Sequence, residues 1–254
     1  MNNYVISLTT AQDRRKHIEA EFGKQNIPFQ FFDAITPNSM EVKALELGID
    51  ISNSALTKEE ISCALSHISL WHLAKEQNLD YICIFEDDIY LGKNANLLLS
   101  NTYINDNVDI VKIERGLERL NLSLFPEKEY LERKFYILKT VNPGTGGYIL
   151  TRKGINFLTS KVKEITSIEI DNLIFKYYLT DKSYTVWQMQ PTICIQDYLL
   201  YPTGHTLGIM SLERDERRKK SKRKNNFLVR LLKEIRRPIA KLRLKLFETN
   251  STFE

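Results

Sequence analysis

Apolar residues in this chain recur with two periods. Short β-branched or aromatic runs alternate with longer charged segments whose apolar residues fall three or four apart. YVISL (4–8) predicts a strand. The segment from Asp13 to about Asn26 predicts a helix, with Ile18 and Phe22 four apart on one face, and Pro28 ends it. FQFF (29–32) predicts a second strand, giving strand–helix–strand in the span of a βαβ unit. Thr57 and Glu60 form a capping box at the head of a helix running to about Gln77, with Ile61, Leu65, Ile68 and Trp71 at helical spacing. YICIF (81–85) is nearly continuous in apolar residues, which suits a strand buried on both faces. VDIVKI (108–113) alternates and predicts a more exposed strand, and KFYILKT (134–140) predicts another. The turn NPGTGG (142–147) leads into YIL and then a helix from about Lys153; residues 169–179 read as helical, and YTVW (184–187) and TICI (192–195) as short strands. No internal repeat is visible. The alternation predicts one α/β domain with a mostly parallel central sheet.

Composition agrees with a packed core. The chain has 254 residues, 43% of them hydrophobic and 27% charged, which excludes a largely disordered or collagen-like chain. The net charge of +4 is unevenly divided. Residues 213–254 carry +9 and residues 1–212 carry −5, so the domain boundary is placed at 212/213. In the basic segment, Phe227, Leu231, Ile235, Ile239, Leu242 and Leu246 recur at spacings of three or four among Arg and Lys. That spacing predicts a basic amphipathic helix over 227–246, suited to an anionic membrane surface. A helix packed on the body or on a second subunit, giving a homodimer, is the other reading. Cys63, Cys83 and Cys194 sit among apolar neighbours with no CxxC pair and read as reduced core residues. No secretory signal and no run of about 20 apolar residues is present, so a cytoplasmic location, soluble or peripheral, is expected.

The sharpest chemical feature is Glu86-Asp87-Asp88, directly after the apolar YICIF strand. Ligands of open α/β sheets bind outside the carboxyl ends of strands, and carboxylates there can hold a hard divalent cation. In an extended segment Glu86 and Asp88 point one way and Asp87 the other, making Glu86 and Asp88 the better metal pair. A solvated acidic loop is the alternative. SLTTAQDRR (7–15) offers a strand-to-helix turn with Arg14 and Arg15, which suits phosphate but equally fits a surface arginine pair. The glycines of PGTGG (143–147) permit close approach to a ligand or simply a tight turn. Asp171 in IEIDNLIF and Asp197 in TICIQD are each a candidate general base, helix cap or strand-end residue.

Taken in order, VISLTTAQDRR, FQFFDAI, LTKEEISCALSHISLW, YICIFEDDIYLG, NPGTGGYILTRKG, IEIDNLIF and PTICIQD resemble glycosyltransferase family 25, over about residues 1–212. The bacterial lipooligosaccharide galactosyl- and glucosyltransferases are the relatives suggested. The resemblance implies a glycosyltransferase-A-like fold, a UDP-sugar donor (UDP-galactose or UDP-glucose), Mn²⁺ or Mg²⁺, a lipooligosaccharide acceptor and an inverting mechanism. It implies that Glu-Asp-Asp replaces the metal-binding DxD motif, with Glu86 and Asp88 as metal ligands and Asp87 beside the donor. Ser7, Leu8 and Arg14 match the first strand and turn, where uridine would lie. His67 falls in a family motif, assigned here to donor binding. Asp171 is the expected base and Asp197 the second choice; His205 would complete the metal shell by analogy. The enzyme would work on the inner face of the bacterial inner membrane.

Two other classes compete. A nucleic-acid-binding protein acting through the basic segment rests on charge alone, and the acidic body carries no such signature, so no nucleic-acid partner is expected. A metal-dependent phosphohydrolase could also use Glu86 to Asp88.

Overall fold

A computed structural model describes residues 2–203, 207 and 248–254. The chain opens with β1 (Asn3–Ser7), α1 (Gln12–Gly23) and β2 (Gln30–Asp33), as the βαβ reading expects. There follow α2 (Met40–Leu47), α3 (Lys58–Glu76), β3 (Tyr81–Glu86), β4 (Ile89–Leu91) and α4 (Ala95–Leu98). The middle of the chain supplies β5 (Ile110–Lys112), β6 (Glu114–Arg115), β7 (Arg119–Asn121), β8 (Lys128–Tyr130) and β9 (Arg133–Ile137). It continues with β10 (Gly147–Thr151), α5 (Arg152–Lys161), α6 (Ile170–Asn172), β11 (Val186–Gln190), β12 (Cys194–Gln196), α7 (Asp197–Leu200) and β13 (Glu248–Asn250).

Eight strands form the central sheet, in the order β2-β1-β3-β10-β5-β11-β9-β8. Six of them share one direction; β10 and β9 run against it. The sheet is therefore mostly parallel in strand direction, but the two reversed strands make its pairing mixed. Alternation along β3 divides the core. Ile82 and Ile84 join one apolar layer with α3, while Cys83 and Phe85 join another with Ile18 and Phe22 of α1. A three-stranded sheet, β4-β12-β6, and a β13–β7 pair complete the strands.

The reversal of β10 positions the site. Gly147 pairs with Phe85, so the amino end of β10 and the glycine loop before it lie at the carboxyl end of β3. Parallel pairing of β1 with β3 brings Ser7 to the same end, and β5 brings Lys112 and the following Glu114.

Three expectations are corrected. The 108–113 segment is not half-exposed: β5 is wholly buried, and Asp109 and Lys112 are 0% exposed. Its polar positions are tolerated because each has an ionic partner, Lys153 for Asp109 and Glu114 for Lys112. Residues 169–179 are not one helix. α6 ends after one turn, and the backbone widens into a π-type turn over 173–177, with Phe175 outside helical geometry at φ −109°, ψ 16°. Cys63 is half-buried on α3, whereas Cys83 and Cys194 are core residues.

The helix predicted over 227–246 and His205 lie outside the described residues. Residues 248–254, part of the segment set apart by charge, pack on the body. β13 pairs with β7, and Thr192 bridges Phe253. Among the described residues no helix is long and apolar enough to cross a membrane.

The capping box at α3 is formed on both sides: Glu60 N donates to Thr57 Oγ1, and Thr57 N donates to Glu60 Oε2. Thr57→Ala should cost about 1 kcal/mol of folding stability in urea titrations.

Candidate active site

Glu86 is the last residue of β3, and Asp87 and Asp88 continue the chain beyond the sheet. Both lie in the turn between β3 and β4, and the side chains diverge there. Asp87 turns toward the β1–α1 corner, accepting from Ser7 Oγ at 2.7 Å and from Arg14 Nη1 at 2.8 Å. Glu86 and Asp88 turn the other way and share one amide: Gln196 Nε2 donates to Glu86 Oε2 at 2.9 Å and to Asp88 Oδ1 at 3.1 Å. Thr145 Oγ1 donates to Glu86 Oε1 at 2.5 Å.

Arg14 also donates through Nε to the carbonyl of Leu207, and Leu8 O closes the turn by accepting from Ala11 N and Arg15 Nε. Arg15 belongs to the scaffold. It reaches Asp33 at 2.5 Å and lies over the Phe31 ring.

Beneath the triplet sits a buried ion pair. Lys112 Nζ lies 2.8 Å from Glu114 Oε2, also donates to Gly144 O, and stands 4.0 Å from the centre of the Phe175 ring. The glycine loop rests directly on this pair. A Cβ at Gly144, whose φ is +106°, would meet Glu114 Oε1 at 2.8 Å; one at Gly146 would meet Gln196 and the same oxygen at 2.8 Å. What approaches Gly144 and Gly146 so closely is the protein's own Glu114 and Gln196, a contact that neither the ligand reading nor the tight-turn reading of PGTGG named. Burial pushes the Glu114 carboxyl up, against the opposing pull of Lys112.

The structure ties both isolated acids to this neighbourhood. Asp171 is half-buried at the start of α6, and its Oδ2 accepts from Gly144 N at 3.1 Å, so it pins the glycine loop. Asp197 is buried and bonded throughout. Its N–H donates to Asp88 O, Tyr90 Oη donates to Oδ1, and Leu207 N donates to Oδ2. These bonds tie Asp197 to the turn after Asp88. His67 is 0% exposed, behind Glu86: its Nε2 lies 3.6 Å from Glu86 Oε1 and its Nδ1 is 3.0 Å from Tyr148 Oη.

Sequence reasoning did not single out Gln196, Thr145, Glu114 or Tyr148. Gln196 stands beside Asp197 in the quoted TICIQD and Thr145 inside PGTGG, so the segments were marked but not the residues.

The oxygens of Glu86 and Asp88 form a hard donor set. Burial, and next the negative charge of Glu86, push the Asp88 carboxyl up to about 6, with Arg14 and Gln196 pulling it down. Two like charges sharing one neutral amide are the environment a divalent cation would relieve, so these residues fit such an ion. Cys63, His67 and Glu86 also bring ligand atoms within 4.8 Å of one another.

Asp88→Asn should raise the melting temperature of metal-free protein at pH 7. The ionised carboxylate is the disfavoured form in the fold, so the gain is full above the raised pKa. It should shrink as pH falls through about 6 and vanish near pH 4, where folded and unfolded chains both hold the proton.

Comparison with known proteins adds an independent line. Residues 1–174 match the family model described as glycosyltransferase family 25 (LPS biosynthesis protein). A putative glycosyltransferase of Haemophilus influenzae is 41% identical, covering 100% of this chain and 89% of its own length. The lipooligosaccharide biosynthesis protein lic2B of Haemophilus influenzae is 33% identical over 96% of each chain. The lacto-N-neotetraose biosynthesis glycosyltransferase LgtE of Neisseria meningitidis is 30% identical, over 95% of this chain and 90% of its own.

Proposed function

The chain belongs to glycosyltransferase family 25, and on that premise we propose that it is a divalent-cation-dependent, inverting hexosyltransferase. Its donor is UDP-galactose or UDP-glucose and its acceptor a lipooligosaccharide. The observation that carries this reading is the pairing of Glu86 and Asp88 through Gln196, at the carboxyl end of β3, beside the Ser7–Asp87–Arg14 cluster.

Each residue has a task in this reading. Glu86 and Asp88 hold Mn²⁺ or Mg²⁺. Bound there, the cation would neutralise charge developing on the departing diphosphate. Ser7, Leu8 and the Asp87–Arg14 pair form the wall against which the nucleotide lies. Asp171 takes the proton of the acceptor hydroxyl, a poor nucleophile until a carboxylate removes it. Its bond from Gly144 N leaves that carboxylate half-buried at the edge of the glycine loop rather than sealed in the core. In-line attack on an α-linked donor then gives a β-linked product. A glycosyltransferase-A-type fold accords with the α/β sheet and with acids at the end of a strand.

The amphipathic spacing of 227–246 supports peripheral attachment to an anionic membrane, where a lipid-linked acceptor resides.

UDP-sugars are screened with Mn²⁺, scoring UDP release with and without truncated lipooligosaccharide. Acceptor-dependent release with one hexose donor is expected; equal release without acceptor would mark a hydrolase instead. Asp88→Ala should abolish metal-dependent transfer in a folded protein, and full activity in that variant removes the cation assignment. Asp171→Asn should retain UDP binding and lose turnover. Loss of UDP binding instead would give Asp171 a donor-binding or structural role.

A further inference from the structure

His67 Nε2 is buried and has no hydrogen-bond partner. A buried donor or acceptor without a partner is rare enough to need a reason. The surrounding bonds identify which it is. Trp71 Nε1 lies 2.9 Å from Tyr148 Oη, and an indole nitrogen only donates, so the tyrosine oxygen is the acceptor there. The hydroxyl has one proton of its own. Its other neighbour is His67 Nδ1 at 3.0 Å. Were Nδ1 protonated, Tyr148 would receive two donors, and its own proton would be buried with no acceptor among the described residues. The proton therefore goes to Nδ1, and the neutral imidazole carries its hydrogen on Nε2. Trp71, Tyr148 and His67 are all essentially without solvent contact, and the two contacts at Tyr148 Oη are direct.

The Nε2–H faces a carboxylate, with Glu86 Oε1 3.6 Å away, longer than a hydrogen bond. Thr145 Oγ1 donates to that same oxygen, while Oε2 is on the side shared with Asp88. We propose that His67 is a positioning residue. The Trp71–Tyr148–His67 chain locks the imidazole as the Nε2–H tautomer, and the positive end of that N–H dipole, 3.6 Å from Glu86 Oε1, draws this oxygen inward by charge–dipole attraction so that Oε2 is presented beside Asp88. The second half of this statement rests on the cation-binding reading of Glu86 and Asp88. It also decides against the Cys63–His67–Glu86 group as a metal site, because a protonated Nε2 has no lone pair to give.

Two measurements on the full chain test this. The first uses metal-free protein with nitrogen-15 histidine, its ring signals read by long-range proton–nitrogen correlation and assigned by loss in His67→Gln. A protonated Nε2 and bare Nδ1 are expected, with the preference relaxed in Tyr148→Phe. The opposite tautomer, or an imidazolium, overturns the lock. Zn²⁺ or Mn²⁺ bound directly at Nε2 overturns it as well.

The second is Mn²⁺ binding by calorimetry, with folding checked by circular dichroism. His67→Gln places an amide N–H near the Nε2 position and should bind Mn²⁺ as the wild type does. His67→Leu should bind about ten- to a hundredfold more weakly. Equal binding in a folded His67→Leu overturns the positioning role. Wild-type protein that binds no Mn²⁺ overturns the cation reading and with it the purpose assigned to Glu86; the tautomer, read without metal, still decides the lock. If His67→Leu does not fold, the tautomer in wild type and Tyr148→Phe carries the decision.

Discussion

Negative charge gathered at one end of a sheet is the constraint around which the rest is arranged. Glu86, Asp87, Asp88 and Glu114 stand together where β3 and β5 end. Removing carboxylates from water is costly unless each finds donors or an opposite charge. Two of them are matched by cations: Arg14 with Asp87 and Lys112 with Glu114. Glu86 and Asp88 instead meet Gln196 and Thr145, and burial raises Asp88 toward neutrality. A fold optimised for stability alone would have no reason to keep that arrangement, and strained electrostatics of this kind accompany sites that bind or react.

Topology delivers the partners. Had β10 run with its neighbours, the glycine loop would lie at the opposite edge. Reversed, it places Thr145 on Glu86 and the bare Cα atoms of Gly144 and Gly146 over Glu114. Asp171 then holds the loop from outside through Gly144 N. Charged core, glycine loop and proposed base are thus joined by direct hydrogen bonds.

Legibility varied with the range of the interactions involved. The capping box, the βαβ start and the buried β3 run depend on neighbours a few residues away and were readable. The divergence of Glu86 and Asp88 from Asp87 was expected from an extended segment; it is present, but the strand ends at Glu86 and the turn over Asp87 and Asp88 produces it. The 108–113 segment misled because its alternation implied a wet face; Asp109 is buried against Lys153, and Lys112 against Glu114 and the Gly144 carbonyl. The 169–179 segment had helical composition, but packing opened it at Phe175, whose ring Lys112 and Tyr148 flank.

By itself the sequence determined the alternating α/β plan, the position of the acids at a strand end and the family resemblance. Those follow from local backbone geometry and from ordered motifs. Tertiary structure alone decided which residues meet there. It selected Gln196 as the bridge between Glu86 and Asp88, joined Asp197 N to Asp88 O, and set Tyr148 between Trp71 and His67. Each of these contacts joins residues far apart in the chain. Their pairing depends on strand order and direction, which no local pattern encodes.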